Sequence, residues 1–118
     1  MARREVCFLI GGDGSVLWAD AGSTSALPDS RSRWQEIWGR RAELAEIAHS
    51  HPHGPAAFSS EDDTTMAAVD SALGRPLRYS VVAPTAMIVR ASGGGQEIEE
   101  EPWWAALLRL ASGMNEEE

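Results

Sequence analysis

Apolar residues first run together at Val6-Cys-Phe-Leu-Ile10, halt at Gly11-Gly12-Asp13-Gly14, and resume over Ser15 to Ala19. Glu5 to Ile10 and Ser15 to Ala19 therefore read as two strands around a tight turn, since glycine supplies the positive φ that such turns require. Residues 20–32, rich in Ser, Thr, Asp and Pro, read as loop. From Arg33 the spacing changes. Trp34, Ile37, Trp38, Arg41 and Leu44 recur at intervals of three and four, which predicts one face of a helix with both tryptophans as core anchors. Ala45 to Pro52 shortens into a strand, and Pro52 stops it by withholding a backbone donor.

A polar loop follows, and then Ser59-Ser60 before Glu61-Asp62-Asp63 marks a helix start with acids in its first turn. Met66, Val69 and Leu73 supply its buried stripe, and Gly74 closes it. Leu77 to Ala83 and Ala86 to Ala91 are two β-rich runs, Ser92 to Gly95 is a turn, and Glu97 to Glu101 reads as a last edge strand. Pro102 to Ala111 predicts a terminal helix with proline in its first turn. Strands mixed with helices, without internal repeat, predict an α+β (mixed α/β) fold. The chain has 118 residues, enough for one hydrophobic core and too few for two ordinary domains. The expected domain spans 1–112, followed by an acidic tail over 113–118.

Apolar residues make up 43% and charged residues 24%, which is ordinary for a folded globular chain. The apolar stretches are short and interrupted, so no membrane partner is expected. No signal peptide is legible, and the lone Cys7 has no internal disulfide partner; both readings place the chain in the cytoplasm. The net charge is −8, and about −5 without Glu116-Glu117-Glu118, so no nucleic-acid partner is expected. Arg31, Arg33, Arg40 and Arg41 form the one basic cluster and read as a solvated face. Oligomeric state is not legible.

Chemistry concentrates in His49-Ser-His-Pro-His-Gly-Pro-Ala-Ala-Phe-Ser-Ser-Glu-Asp62. Side chains two apart on a strand share a face, so His49 and His51 can both point at one metal ion. A third ligand is needed, and a carboxylate just past a turn can supply it; Asp62 fills that place and Asp63 competes with it. Taken alone, Ser59-x-x-Asp62 reads as a capping box and paired strand histidines read as structural. Taken together, His-x-His-Pro, six residues, Ser, two residues, Asp has a chance frequency below roughly one in ten thousand in a chain of this size.

The pattern resembles the JAMM motif of the JAMM/MPN zinc metalloprotease family, with His49, His51, Pro52, Ser59 and Asp62 at the family's spacing. Glu5-Val-Cys-Phe-Leu-Ile-Gly11 resembles the family's upstream glutamate element, and Tyr79-Ser-Val-Val-Ala-Pro-Thr85 is similar to the short prokaryotic JAB-type members. The resemblance implies a curved mixed β-sheet flanked by helices, of cytidine-deaminase-like type. It also implies one Zn2+ per chain, held by His49, His51 and Asp62, and hydrolysis of peptide or isopeptide bonds. The spacing of the family decides for Asp62 over Asp63. Members usually carry a helix before the first strand; only four residues precede Glu5 here, so that helix is expected to be missing or replaced by the helix from Pro102. No room remains for the insertions that select ubiquitin linkages in larger relatives.

Within that resemblance, Glu5 is the general acid and base, since a carboxylate that is not a ligand can take a proton from water and return it to the leaving amine. Ser59 is the donor to the developing oxyanion. His53 reads as a solvent-facing loop residue because Pro52 breaks the alternation, and Cys7 as a small core residue. The implied substrate is the C-terminal tail of a ubiquitin-like or sulfur-carrier-like protein, with the loop from Ala21 to Ser32 lining a sheet edge where that tail can add. The alternatives are a RadC-like domain of the DNA-repair-associated type, which shares the His-x-His-Pro-x-Gly stretch, and a non-catalytic MPN binding module.

Overall fold

The six residues of β1, Val6–Gly11, are buried on both sides, which explains why the first apolar run does not alternate with polar residues. A computed structural model describes residues 3–23, 27–28, 30–91 and 95–114. Parts of the expected 20–32 loop, most of the Ser92 to Gly95 turn and residues 115–118 of the expected tail lie outside these. β2 (Val16–Ala21), α1 (Arg31–Gly39), β3 (Leu44–Ser50), α2 (Ser60–Leu73), β4 (Arg78–Val82), β5 (Met87–Arg90), β6 (Gln96–Glu97) and α3 (Trp103–Ala111) follow.

The strands form one sheet in the order β2-β1-β3-β4-β5-β6. Every neighbouring pair is antiparallel except β3 and β4, which run parallel and are joined through α2. The fold is thus mixed α/β, as expected from the sequence.

Alternation along the strands divides the core between two faces. Val6, Phe8 and Ile10 join Ala48, Val82, Met87 and Val89 under Trp104, Ala105 and Leu108 of α3. Cys7 and Leu9 face the other way, toward Ile37 of α1 and Met66 and Val69 of α2. α3 therefore packs on the face opposite the other two helices. The first residues are tied to its end, where Arg4 N donates to Ser112 O at 3.0 Å. Met114, just past the expected boundary at 112, is buried in the same cluster.

Four expectations need correction. Trp38 is 53% exposed and is not a core anchor, whereas Trp34 packs against the core. The helix ends at Gly39, so Arg41 and Leu44 do not extend its buried face, and Trp38 sits at the rim beneath the Arg41 guanidinium, 3.9 Å from the ring centre. The last strand is two residues long; Ile98 N makes one more bond to Met87 O before the acidic run turns into Pro102. Pro102 itself is the N-cap of α3 rather than a residue of its first turn.

Candidate metal centre

β3 and the start of α2 build the centre between them. His49 is the last half-exposed position of β3, and His51 follows the strand with its amide donating to Val82 O at 2.9 Å. That bond carries the strand's alternation one step further, so both rings project to the same side. Asp62 stands in the first turn of α2. Ser59 Oγ accepts from Asp62 N at 3.0 Å, and Asp62 Oδ2 accepts from Ser59 N at 2.8 Å, a complete capping box. The two readings of Ser59-x-x-Asp62 are therefore compatible: the cap fixes the carboxylate that faces the histidines.

The convergence is close. His49 Nε2 lies 3.2 Å from His51 Nε2 and 3.2 Å from Asp62 Oδ1, and His51 Nε2 lies 3.6 Å from Asp62 Oδ2. Tetrahedral ligands at about 2.0–2.1 Å from zinc stand roughly 3.3–3.4 Å apart, so the two imidazole nitrogens and an oxygen of the Asp62 carboxylate lie near the spacing of three corners of such a site. Two imidazole nitrogens at this separation have either a hydrogen or a metal ion between them, since two facing lone pairs would repel. His51 Nδ1 pairs with Pro55 O at 3.0 Å. As donor to that carbonyl it leaves the Nε2 lone pair for a metal, the usual way a second partner orients a ligating histidine. Gly54, at φ 73°, allows the turn that brings Pro55 back to the ring.

Burial alone would raise the Asp62 carboxyl, but hydrogen bonds from His49 and His51 outweigh it and hold the group well below the usual carboxylate range. The bond to Asp62 raises His51, against its burial. In the metal-free protein, stability from the raised His51 is complete below its unfolded value near 6.5 and is lost as pH rises through the folded value. Stability from the depressed Asp62 is present above about pH 4 and is lost as pH falls below it. The metal-free protein should thus lose thermal stability as pH rises above about 6.5, while metal affinity rises over the same range because imidazole must be neutral to bind. Thermal melts with and without chelator across that range check this; a metal-free melting temperature that climbs with pH contradicts it.

Glu5 precedes β1. Cys7 pairs with His49 across the β1–β3 ladder, so two steps back along the antiparallel register Glu5 comes opposite His51. Burial raises its carboxyl, while His51 and His49 pull the other way. Its backbone is held on both sides, Glu5 N donating to Ser23 O at 2.9 Å and Gly22 N to Glu5 O at 2.8 Å. Asp63, the competing carboxylate, turns away and pairs with Arg90 at 2.9 Å. His53 is exposed and stays outside the cluster. Cys7 is buried, and burial pushes its thiol up to about 12, which leaves no nucleophile there. The basic cluster is occupied internally in part, by Arg33 on Asp20 and Arg40 on Glu36.

Sequence reading did not find the Pro55 carbonyl or the cavity beside the ligands. The cavity has a volume of about 230 Å³ and runs from Glu5, the two histidines and Asp62 into the space between α1, α2 and the sheet. Its one legible signal is the apolar stripe of α2, which packing alone accounts for in the sequence. No helix among the described residues is long and apolar enough to cross a membrane. A model of the prokaryotic homologues of the JAB domain matches residues 2–106 of the chain. No curated protein matches it.

Proposed function

The chain belongs to the family of prokaryotic homologues of the JAB domain, and from that premise we propose that it is a zinc-dependent hydrolase of peptide or isopeptide bonds. The observation that carries the proposal is the convergence of two imidazole nitrogens and one carboxylate oxygen, with a carboxylate that is not one of the three beside them. His49, His51 and Asp62 would hold the zinc, which would supply a water of lowered pKa and polarise the scissile carbonyl.

Glu5 takes a proton from the attacking water as its oxygen bonds to the carbonyl carbon. It returns that proton to the amine as the C–N bond breaks. A carboxyl raised by partial burial is closer to its protonated form near neutrality, which favours the second step. Ser59 Oγ already spends a lone pair on Asp62 N, which leaves its O–H to point at the developing oxyanion.

The substrate on this reading is the C-terminal tail of a ubiquitin-like or sulfur-carrier-like protein, and the place of action is the cytoplasm. Glycine at the cut has no side chain to clash in a narrow approach. The outer side of β2 is a sheet edge, and an extended tail can add there through backbone bonds. A net charge of −8 gives no general attraction for a nucleic-acid partner, which favours a protein substrate over the RadC-like alternative. Mass spectrometry on a folded ubiquitin-like protein extended beyond Gly-Gly is expected to find cleavage after the second glycine and little cleavage when that glycine is leucine. Equal cutting of both, or cutting elsewhere, rejects the tail and leaves a general metallopeptidase.

A further inference from the structure

Ile47, two residues before His49 on the same face of β3, points into the cavity that opens beside the metal centre. Successive residues on one face of a strand stand about 6.6 Å apart. The apolar wall thus begins one side chain's length from the ligands. Trp34 and Ile37 of α1, Phe58, and Met66 of α2 continue the wall, and Tyr79 lies at its base. Two of the charged and polar groups that reach this space are already engaged, while Glu61 and Thr65 of α2 line it as well. Tyr79 donates to Asp70 Oδ1 at 2.6 Å, and burial keeps its phenol un-ionised. The Arg33 guanidinium holds Asp20 at 2.9 Å. The whole space, with its end at the histidines included, is about 230 Å³, against the roughly 150 Å³ of an apolar cavity that holds benzene.

Such a space has no use for a glycine. On the reading that the carbonyl side of the cut is Gly-Gly, the side chain that fills it comes from the other side. Glu5, which hands the proton to the leaving amine, stands on the rim two residues before Cys7 on the wall, so the amine leaves next to the cavity. We infer that the cavity is a specificity pocket for a large apolar side chain, branched aliphatic or aromatic, on the residue whose amine is released. The enzyme then removes an apolar residue, or a chain that begins with one, from a glycine-ended carrier.

The inference rests on the proposed hydrolase, and two measurements keep the two apart. The first compares zinc-loaded enzyme on four substrates in which Gly-Gly is followed by Leu, Phe, Ala or Asp. Leu and Phe are expected to exceed Ala in kcat/KM by roughly tenfold or more, with Asp lowest. In Ile47→Phe, which fills the cavity, the ratio of Phe to Ala should fall toward one.

The second follows the isoleucine methyl NMR signals of zinc-loaded wild-type protein during titration with L-leucinamide or glycinamide, and it stands even if Ile47→Phe does not fold. The Ile37 and Ile47 methyls should shift with leucinamide alone. Cleavage with no preference among the four residues overturns the pocket and leaves the hydrolase. A preference for apolar residues before the cut instead overturns its placement on the amine side. Selective methyl shifts without cleavage of any substrate support the pocket and reject the hydrolase. Methyls that respond equally to both amides reject the pocket whatever the kinetics.

Discussion

Glu5→Gln is expected to lose roughly a hundredfold to ten-thousandfold in kcat/KM while keeping its fold and its zinc. Glutamine fills the same space and can still accept one hydrogen bond, but it cannot hold the proton that must pass from water to the amine. The backbone around Glu5 is fixed by bonds to Ser23 and Gly22 that do not involve the side chain, so the exchange leaves β1 in place. The side chain is not among the three ligands, so metal content should be unchanged. Kinetics on a Gly-Gly-extended substrate, with metal analysis of the same preparation, check this. A zinc-loaded Glu5→Gln enzyme of normal activity would show that another group moves the proton.

Alanine at His49, His51 or Asp62 should weaken zinc by more than about a hundredfold, since losing even a supporting partner of a ligand typically costs 10–100-fold. The three variants should differ in stability. Asp62→Ala removes a ligand, the partner of both imidazoles and half of the capping box of α2 at once. The lost cap alone should lower the stability of the metal-free protein by about 1 kcal/mol. Asp62→Asn keeps an oxygen for Ser59 N and removes the charge, so it should lose zinc with a smaller fall in melting temperature. Metal analysis after dialysis, paired with thermal melts, separates the two effects. Full zinc retention in all three alanine variants would mean that the metal sits elsewhere.

The elements were legible in the sequence where a single force shaped them. β1 follows from an uninterrupted apolar run, α2 from its cap, its acids and its apolar spacing, and α2's end from Gly74, which adopts φ 73°. Trp38 was misread because helical spacing is blind to where a helix stops: the pattern continued to Leu44 while the helix ended at Gly39. The cluster of His49, His51 and Asp62, which could hold a metal ion, was legible because strand alternation and a helix cap both leave marks in spacing. Spacing from the resembled family chose Asp62, and the structure adds the physical reason, since Asp63 faces Arg90. The Pro55 carbonyl that orients His51 is a backbone atom brought round by a turn, and the cavity is a property of how α1 and α2 stand on the sheet. Neither has a residue pattern of its own.

Calorimetric titration of zinc into chelator-treated wild-type protein near neutral pH, with Asp62→Asn alongside, tests the metal centre most directly. The account predicts one zinc site per chain in the wild type, with proton release on binding, and a site weakened by more than about a hundredfold in a variant that remains folded by circular dichroism. Absence of a site in the wild type, or an equal affinity in Asp62→Asn, would contradict it.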